Sequence, residues 1–559
     1  YGLNYTPGMW LNSIQVSKGI SSVTAGHEAI TGQINMEHRK PSDEERLFLN
    51  LYFDSEMRPE INLSSAFPLT ADKSLSTVIL LHGSLDTQSH DLNKDGFRDL
   101  PKTNQINIAN KWLWQSLGGT QIRWGWKYVD ENRLGGQMTY KKSMRDEMEQ
   151  SLSTYGSHMD NTGVNAYFKL GTPVGAAVYD SETEEEFRSN IAFVADYNYF
   201  KEDAYFGLND YKGHDHAWWF NFMYAHYFTS RSSMVVGASA SVTNSDEYIM
   251  NNIIKPHPAT SAAPDPKERW AGQTHNKMSY IEPGVYAEYT YTLPEKFSFV
   301  LGLRGDWMGA KNAIQANKID AMGADATAEN TAYYAPKQRF VLTPRTHIRW
   351  DITPTTVLRG SAGLGYRRAS IFTDNIWMLA TGRKALVKDL NDDIEMALTA
   401  GGSLTQYIKW GGYSDATISF DYFRTQLFHS VIVDQEYDAN NIHIYTTDGK
   451  SYTNTYQVDL SWTPAERLDI FATFRYTDSK YTVKRPDGKT ELVERPLVSR
   501  YKTLLNIQYA TRMRKWTFDV TAQLNGPMRL PELKGDIEKA IANPTLSPIY
   551  PMFFAQVSY

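Results

Sequence analysis

Between Gln121 and Tyr128 the chain alternates strictly. Ile122, Trp124, Trp126 and Tyr128 share one parity, and Gln121, Arg123, Gly125 and Lys127 share the other. The same period returns at Leu468, Ile470, Ala472, Phe474 and Tyr476 against Asp469, Thr473 and Arg475. It returns again at Trp516, Phe518, Val520, Ala522 and Leu524 against Thr517, Asp519, Thr521 and Gln523. Successive side chains of a strand point to opposite faces, so each segment has one apolar and one wet face. Alternation bounded by Gly, Pro, Asn and Asp predicts twenty strands: 46–55, 59–67, 74–85, 103–116, 119–130, 162–172, 187–199, 216–228, 231–243, 278–291, 296–308, 338–351, 355–366, 399–410, 416–430, 451–462, 467–478, 499–510, 515–525 and 550–559. A soluble sandwich uses a few such strands. Twenty in a row, with Trp and Tyr ending the apolar rows, predict a large antiparallel barrel with a polar lumen.

Composition agrees with a barrel in lipid. Apolar residues make up 41% of the chain and the mean hydropathy is −0.48, so no run is apolar enough for a transmembrane helix. A spanning strand needs only about 9–11 residues, half of them polar. Aromatics reach 13%, with 35 Tyr and 14 Trp, rings that favour bilayer interfaces. There is no cysteine, which excludes disulfides and thiol chemistry, and the net charge of −6 excludes a basic footprint for nucleic acid. No linker or composition break divides the chain. It opens on Tyr1 with neither an initiator Met nor a leader, so residues are expected to precede it.

Connections after even-numbered strands are short, as at Leu117-Gly118, Thr229-Ser230, 292–295, 352–354 and 463–466, with the acidic stretch 173–186 as an exception. Those after odd-numbered strands are long: 86–102, 131–161, 200–215, 244–277, 309–337, 367–398, 431–450, 479–498 and 526–549. Outer-membrane barrels segregate loops this way, with turns in the periplasm and loops outside. Thr343, Arg345, His347 and Arg349 point inward if Leu342, Ile348 and Trp350 face lipid. A charged lumen this wide is either a pore or is plugged.

The first forty residues point to a plug. Ile14-Gln15-Val16-Ser17-Lys18-Gly19, Ser22-Val23, Gly26, Ala29-Ile30 and Gly32-Gln33-Ile34-Asn35 resemble the end of the plug domain of TonB-dependent outer-membrane receptors. Gly19, Gly26, Gly32 and Asn35 carry the motif, and the glycines suit tight turns inside a barrel. The stretch from Gly363 to Arg383, with Gly365-Tyr366-Arg367, Asn375 and Leu379-Ala380, looks like Bacteroidetes members of that family. The resemblance implies 22 strands against about 20 here, so a closing hairpin is expected outside this chain. It also implies residues 1–41 as the C-terminal part of the plug and 42–559 as the barrel. Arg345 and Arg349 are expected to meet that segment, through its carbonyls or through Glu28 and Glu37.

Asp91, Asn93, Asp95, the Phe97 carbonyl and Asp99 stand at positions one, three, five, seven and nine of a calcium-type loop, with Gly96 at six. Lys102 holds position twelve, where a bidentate Glu belongs. The stretch reads as a calcium site that stiffens a loop, or as a solvated Asx-rich turn. His158, His214, His216 and lumenal His347 are candidate contacts for haem or a metal, or plain solvated histidines. No nucleophile–base set, HExxH or phosphate loop occurs, so nothing argues for an enzyme or an organic cofactor.

The expected fold is thus an all-β transmembrane barrel. The resemblance implies active import of a scarce ligand, driven through the plug by the TonB-ExbB-ExbD system, with an iron-siderophore, haem or cobalamin favoured. An oligosaccharide or peptide taken up with a surface lipoprotein is the alternative substrate. A passive porin or an adhesin is the alternative class.

Overall fold

Backbone amides and carbonyls have no partner in lipid, so strands that cross it must bond one another all the way round. A computed structural model describes residues 5–559 apart from 43–44, 152–153, 181–183, 255–268, 312–313, 321–331, 335, 388–389, 391, 437–440, 486–487 and 533–544. Among the described residues, twenty long strands run from Phe48–Phe53 to Tyr550–Ser558, each antiparallel to the next, in a closed barrel. All twenty strands expected from alternation are present.

The two faces follow from the register. Asn107, Ala109 and Lys111 oppose Val129, Lys127 and Gly125; Asn107 meets the chain's own first residues, so this parity faces the lumen. Trp112 and Trp124 lie on the other face and stack with ring centroids 5.8 Å apart. By the same logic Arg123, Arg345, Arg349, Arg475 and Gln523 line the lumen, while Trp126, Phe474 and Phe518 face outward. Along Asn209–Thr229 the outward row runs Trp218, Phe220, Phe222, Tyr224, His226, Phe228. The ten residue steps from Trp218 to Phe228 span about 33 Å of strand, or about 25 Å of height at the tilt of such barrels, which matches the apolar band of an outer membrane.

Connections alternate between rims as expected, but several expected loops are strand instead. Glu185–Phe206 and Asn209–Thr229 continue through 200–215 and meet at a tight turn at Gly207-Leu208. Gly156–Asp180 runs on so that the acidic 173–186 connection shortens to a few residues. Ser232–Ile254 and Arg269–Leu293 consume most of 244–277. Side-chain alternation fades above the bilayer because both faces are wet, yet the backbone bonds continue pairing there. Short strands Ile314–Asp320, Lys384–Val387, Asn441–Thr447 and Thr490–Glu494 extend the same rim. No helix among the described residues is long and apolar enough to cross a membrane.

Candidate functional site

Residues 5–38 occupy the lumen. Leu11–Lys18 and Gly32–His38 pair as a separate two-stranded antiparallel sheet, and the residues around it bond to two groups of wall strands. On one side the Tyr5 hydroxyl donates to Glu131 Oε2 at 2.7 Å and accepts from Asn161 Nδ2 at 3.0 Å. Trp10 is 1% exposed among Ala66, Val78, Leu80 and Ala109, a burial that stabilises the seat by roughly 1.5–3 kcal/mol. On the other side the Lys18 ammonium pairs with Asp421 and with Asp459, the latter at 3.3 Å. Ser22 Oγ donates to Glu288 Oε2 at 2.6 Å.

Arg345 gives the tightest clasp. Its Nη1 donates to the carbonyls of Ser21 and Ser22 at 3.2 and 2.9 Å, and its Nη2 to that of His27 at 3.1 Å. The His27 carbonyl also accepts from Tyr366 N at 3.0 Å. Arg349 does not join them; its Nε bonds Asp351 Oδ1 at 3.0 Å. Glu37 is taken by Lys40 and by Ser13 at 3.0 Å. The expected pairing of Glu28 and Glu37 with these arginines is therefore corrected: backbone carbonyls, fixed in place, satisfy the rigid guanidinium fork instead.

Gly19 has φ +80°, and a Cβ there would stand 2.5 Å from Phe423 Cε1. Gly26 has φ +101°, with nothing within 4 Å of such a Cβ. Gly32 pairs with Lys18 where the small sheet ends. Asn35 donates to Gln15 Oε1 at 3.2 Å across that sheet. Burial beside Lys111 and Lys127 pushes the His38 imidazole down to about 3.

Between this segment and the long-loop rim lies a cavity of about 1440 Å³. Arg367 on its wall is paired with Asp374. Arg475 has no ion pair among the described residues, and Arg495 lies over the Tyr481 ring at 5.5 Å. Residues 371–379 fold into the mouth, where Phe372, Met378 and Leu379 pack on Ile442 and Ile444.

The four histidines do not come together. His214 and His216 project outward, with His216 against Tyr199 and Trp218 at 4.9 and 5.9 Å in the aromatic row. His158 is 4% exposed on the outer face, bonded to Asn132 at 2.9 Å and stacked on Tyr205. His347 is lumenal, beside Ser21. In the 91–99 loop, Asp95 N donates to Asp91 Oδ1 at 3.1 Å and Asn93 Oδ1 at 3.2 Å, and Gly96 N donates to Asp91 Oδ2 at 2.9 Å. Asp99 Oδ2 accepts from Leu92 N at 2.8 Å, and Phe97 forms a bridge to Gln137. Sequence reasoning passed over His27, Glu282, Arg304, Asp306 and Arg368, which form a buried lumenal cluster. The parity of Glu282, Arg304 and Asp306 marks them as inward-facing, but nothing local pairs them with His27.

A closed wall, apolar outside and polar within, whose lumen is occupied by the chain's own early residues, defines a membrane β-barrel. A family model described as TonB dependent receptor-like, beta-barrel matches residues 81–537, and the chain belongs to that family. Its members are outer-membrane transporters that interact with TonB and bind small molecules. No curated protein matches the chain by sequence. Solved structures match its fold. The siderophore receptor PiuA from Acinetobacter baumannii has a TM-score of 0.67 at 15% identity, covering 99% of this chain and 80% of that one. The ferric-catecholate import receptor Fiu from E. coli K12 has a TM-score of 0.63 at 13% identity, covering 98% and 80%. The copper transporter OprC has a TM-score of 0.67 at 11% identity, covering 99% and 78%.

Proposed function

We propose that this receptor imports a scarce metal chelate of siderophore, haem or cobalamin type, an anionic one favoured, with residues 5–38 as the end of the plug that gates it. The long-loop rim then lies outside the cell and the short turns in the periplasm. The observation that supports this reading is the cavity of about 1440 Å³ above the lumenal segment, where Arg475 and Arg495 make no ion pair among the described residues. Two exposed guanidiniums on the wall of one cavity favour an anion over a neutral sugar.

The test is growth of an iron-starved strain carrying this receptor as its single uptake route. Ferric catecholates, ferric carboxylate chelates, haem, cobalamin and copper form the panel, guided in part by the ligands named for the structural neighbours. One anionic chelate should be used, only with TonB present. Arg475→Gln together with Arg495→Gln should raise its half-saturating concentration about tenfold, a loss of about 1.4 kcal/mol. TonB-independent diffusion with a large conductance in planar bilayers would support a porin instead, and surface attachment without uptake an adhesin. A co-purifying lipoprotein would favour the oligosaccharide or peptide alternative.

Calcium at the 91–99 loop belongs to the same reading. Asp91 and Asn93 already gather around the Asp95 amide, the arrangement expected at the start of a calcium loop. Bound calcium would stiffen the connection that Phe97 ties to Gln137.

A further inference from the structure

Among the described residues, His27, Glu28 and Glu282 bring three ligand atoms within 4.8 Å of one another. His27 belongs to the lumenal segment and Glu282 to the wall strand Arg269–Leu293. The imidazole is 6% exposed, and its Nε2 has no hydrogen-bond partner while facing Glu282 Oε2 at 3.7 Å. An unpartnered ring nitrogen this deep in a protein calls for an explanation. The ring's other nitrogen faces Asp306 Oδ1, also at 3.7 Å. Asp306 is 0% exposed and is held by Arg304 Nε at 2.8 Å. Glu282 is braced by Arg368 Nε at 3.4 Å, and Arg368 in turn pairs with Asp393.

We infer that His27 Nε2, Glu28 and Glu282 form a site for a divalent first-row transition ion, zinc being the reference case, that latches the lumenal segment to the wall. This rests on the reading of residues 5–38 as the gate. A tetrahedral zinc with bonds of about 2.0–2.1 Å separates its ligands by roughly 3.4 Å, so the 3.7 Å gap needs little closing. The Asp306 carboxylate orients the imidazole through the nitrogen that does not ligate, the usual support for a metal-bound histidine. Charge points the same way: Glu28, Glu282, Asp306 and Asp393 outnumber Arg304, Arg345 and Arg368, a net negative balance that suits a cation. Three protein ligands leave a fourth position for water. The His27 carbonyl is pinned by Arg345 and Tyr366, so an ion on its side chain closes the clasp from the opposite end.

The test uses the protein purified from membranes in detergent and stripped with a chelator, titrated with zinc alone by calorimetry and with cobalt by visible absorption. One equivalent should bind, and cobalt should give four-coordinate bands. His27→Gln should abolish the bands, and Asp306→Asn should weaken zinc binding tenfold or more. Glu28→Gln changes an exposed residue that folding does not need, and should weaken binding at least tenfold. Saturating zinc should slow amide exchange across residues 19–32. No zinc binding by the parent protein, or unchanged binding in Glu28→Gln and His27→Gln, overturns the site; binding without slowed exchange overturns the latch. Zinc alone is the probe, so failure here leaves the import reading standing, and failed uptake leaves the ion measurement intact.

Discussion

Arg345 of the wall donates from Nη1 to the carbonyl of Ser22 at 2.9 Å, joining two residues 323 positions apart in sequence. Arg345 is 3% exposed and serves three carbonyls of the lumenal segment at once, while its Nε donates to Leu364 O of the wall at 3.3 Å. Arg345→Ala should leave these carbonyls without their donor, at roughly 1–3 kcal/mol for each one left unsatisfied. Cells carrying the variant should become more sensitive to large antibiotics that the intact barrel excludes. Unchanged sensitivity, with residues 5–38 still protected from protease, would show that the clasp is dispensable.

Gly19 and Gly26 both take positive φ but differ in their surroundings. Gly19→Ala should suffer strain of roughly 1–2 kcal/mol and a clash with Phe423, whereas Gly26→Ala meets open space and bears the strain alone. Thermal unfolding in detergent should rank Gly19→Ala as the less stable. The reverse order would mean that the Phe423 ring yields freely.

Phe220 lies within the outward apolar row, 40% exposed, and Trp516 at the short-turn rim against Tyr559, with ring centroids 4.6 Å apart. Phe220→Lys should cost about 2–4 kcal/mol and Trp516→Lys about 0–1. Refolding titrations into lipid vesicles measure both. Equal costs would place the bilayer midplane elsewhere.

Burial holds His38 at about 3, below the ordinary imidazole value of 6.5, with Lys111 and Lys127 adding to the depression. The unfolded segment therefore binds the proton more readily, and stability falls as pH drops from about 6.5 towards 3. Protection factors of the amides in residues 32–38, taken against the intrinsic exchange rate at each pH, should be lower at pH 5 than at pH 7.5. His38→Gln should flatten that dependence; an equal pH effect in the variant would assign it to another group.

Calcium should bind to the loop that begins at Asp91 and raise its resistance to protease. Asp91→Ala together with Asp95→Ala should remove the calcium-dependent part of that resistance without affecting the barrel's own melting. Calcium-independent cleavage of the parent protein would reduce the loop to an Asx-rich turn.

The twenty strands, their inward and outward faces, and the rim that carries the long connections were all legible in the sequence. A strand's side-chain period is local, so Trp124 against Arg123 states its face without knowledge of any neighbour. Gly19 and Gly26 also declared themselves, because a left-handed backbone favours a residue without Cβ.

Other features depended on the closed barrel. Above the bilayer the hairpin at Gly207-Leu208 follows from pairing with neighbouring strands, since wet faces no longer alternate. His214 stood in an expected loop, and only its register opposite Lys201 turns it outward. The clasp of Arg345 on Ser22, and the meeting of His27 with Glu282 and Asp306, join positions hundreds of residues apart. A single alternating pattern says that such groups face inward. Which of them touch depends on strand order, register and the path of the lumenal segment, and these are properties of the whole closed sheet.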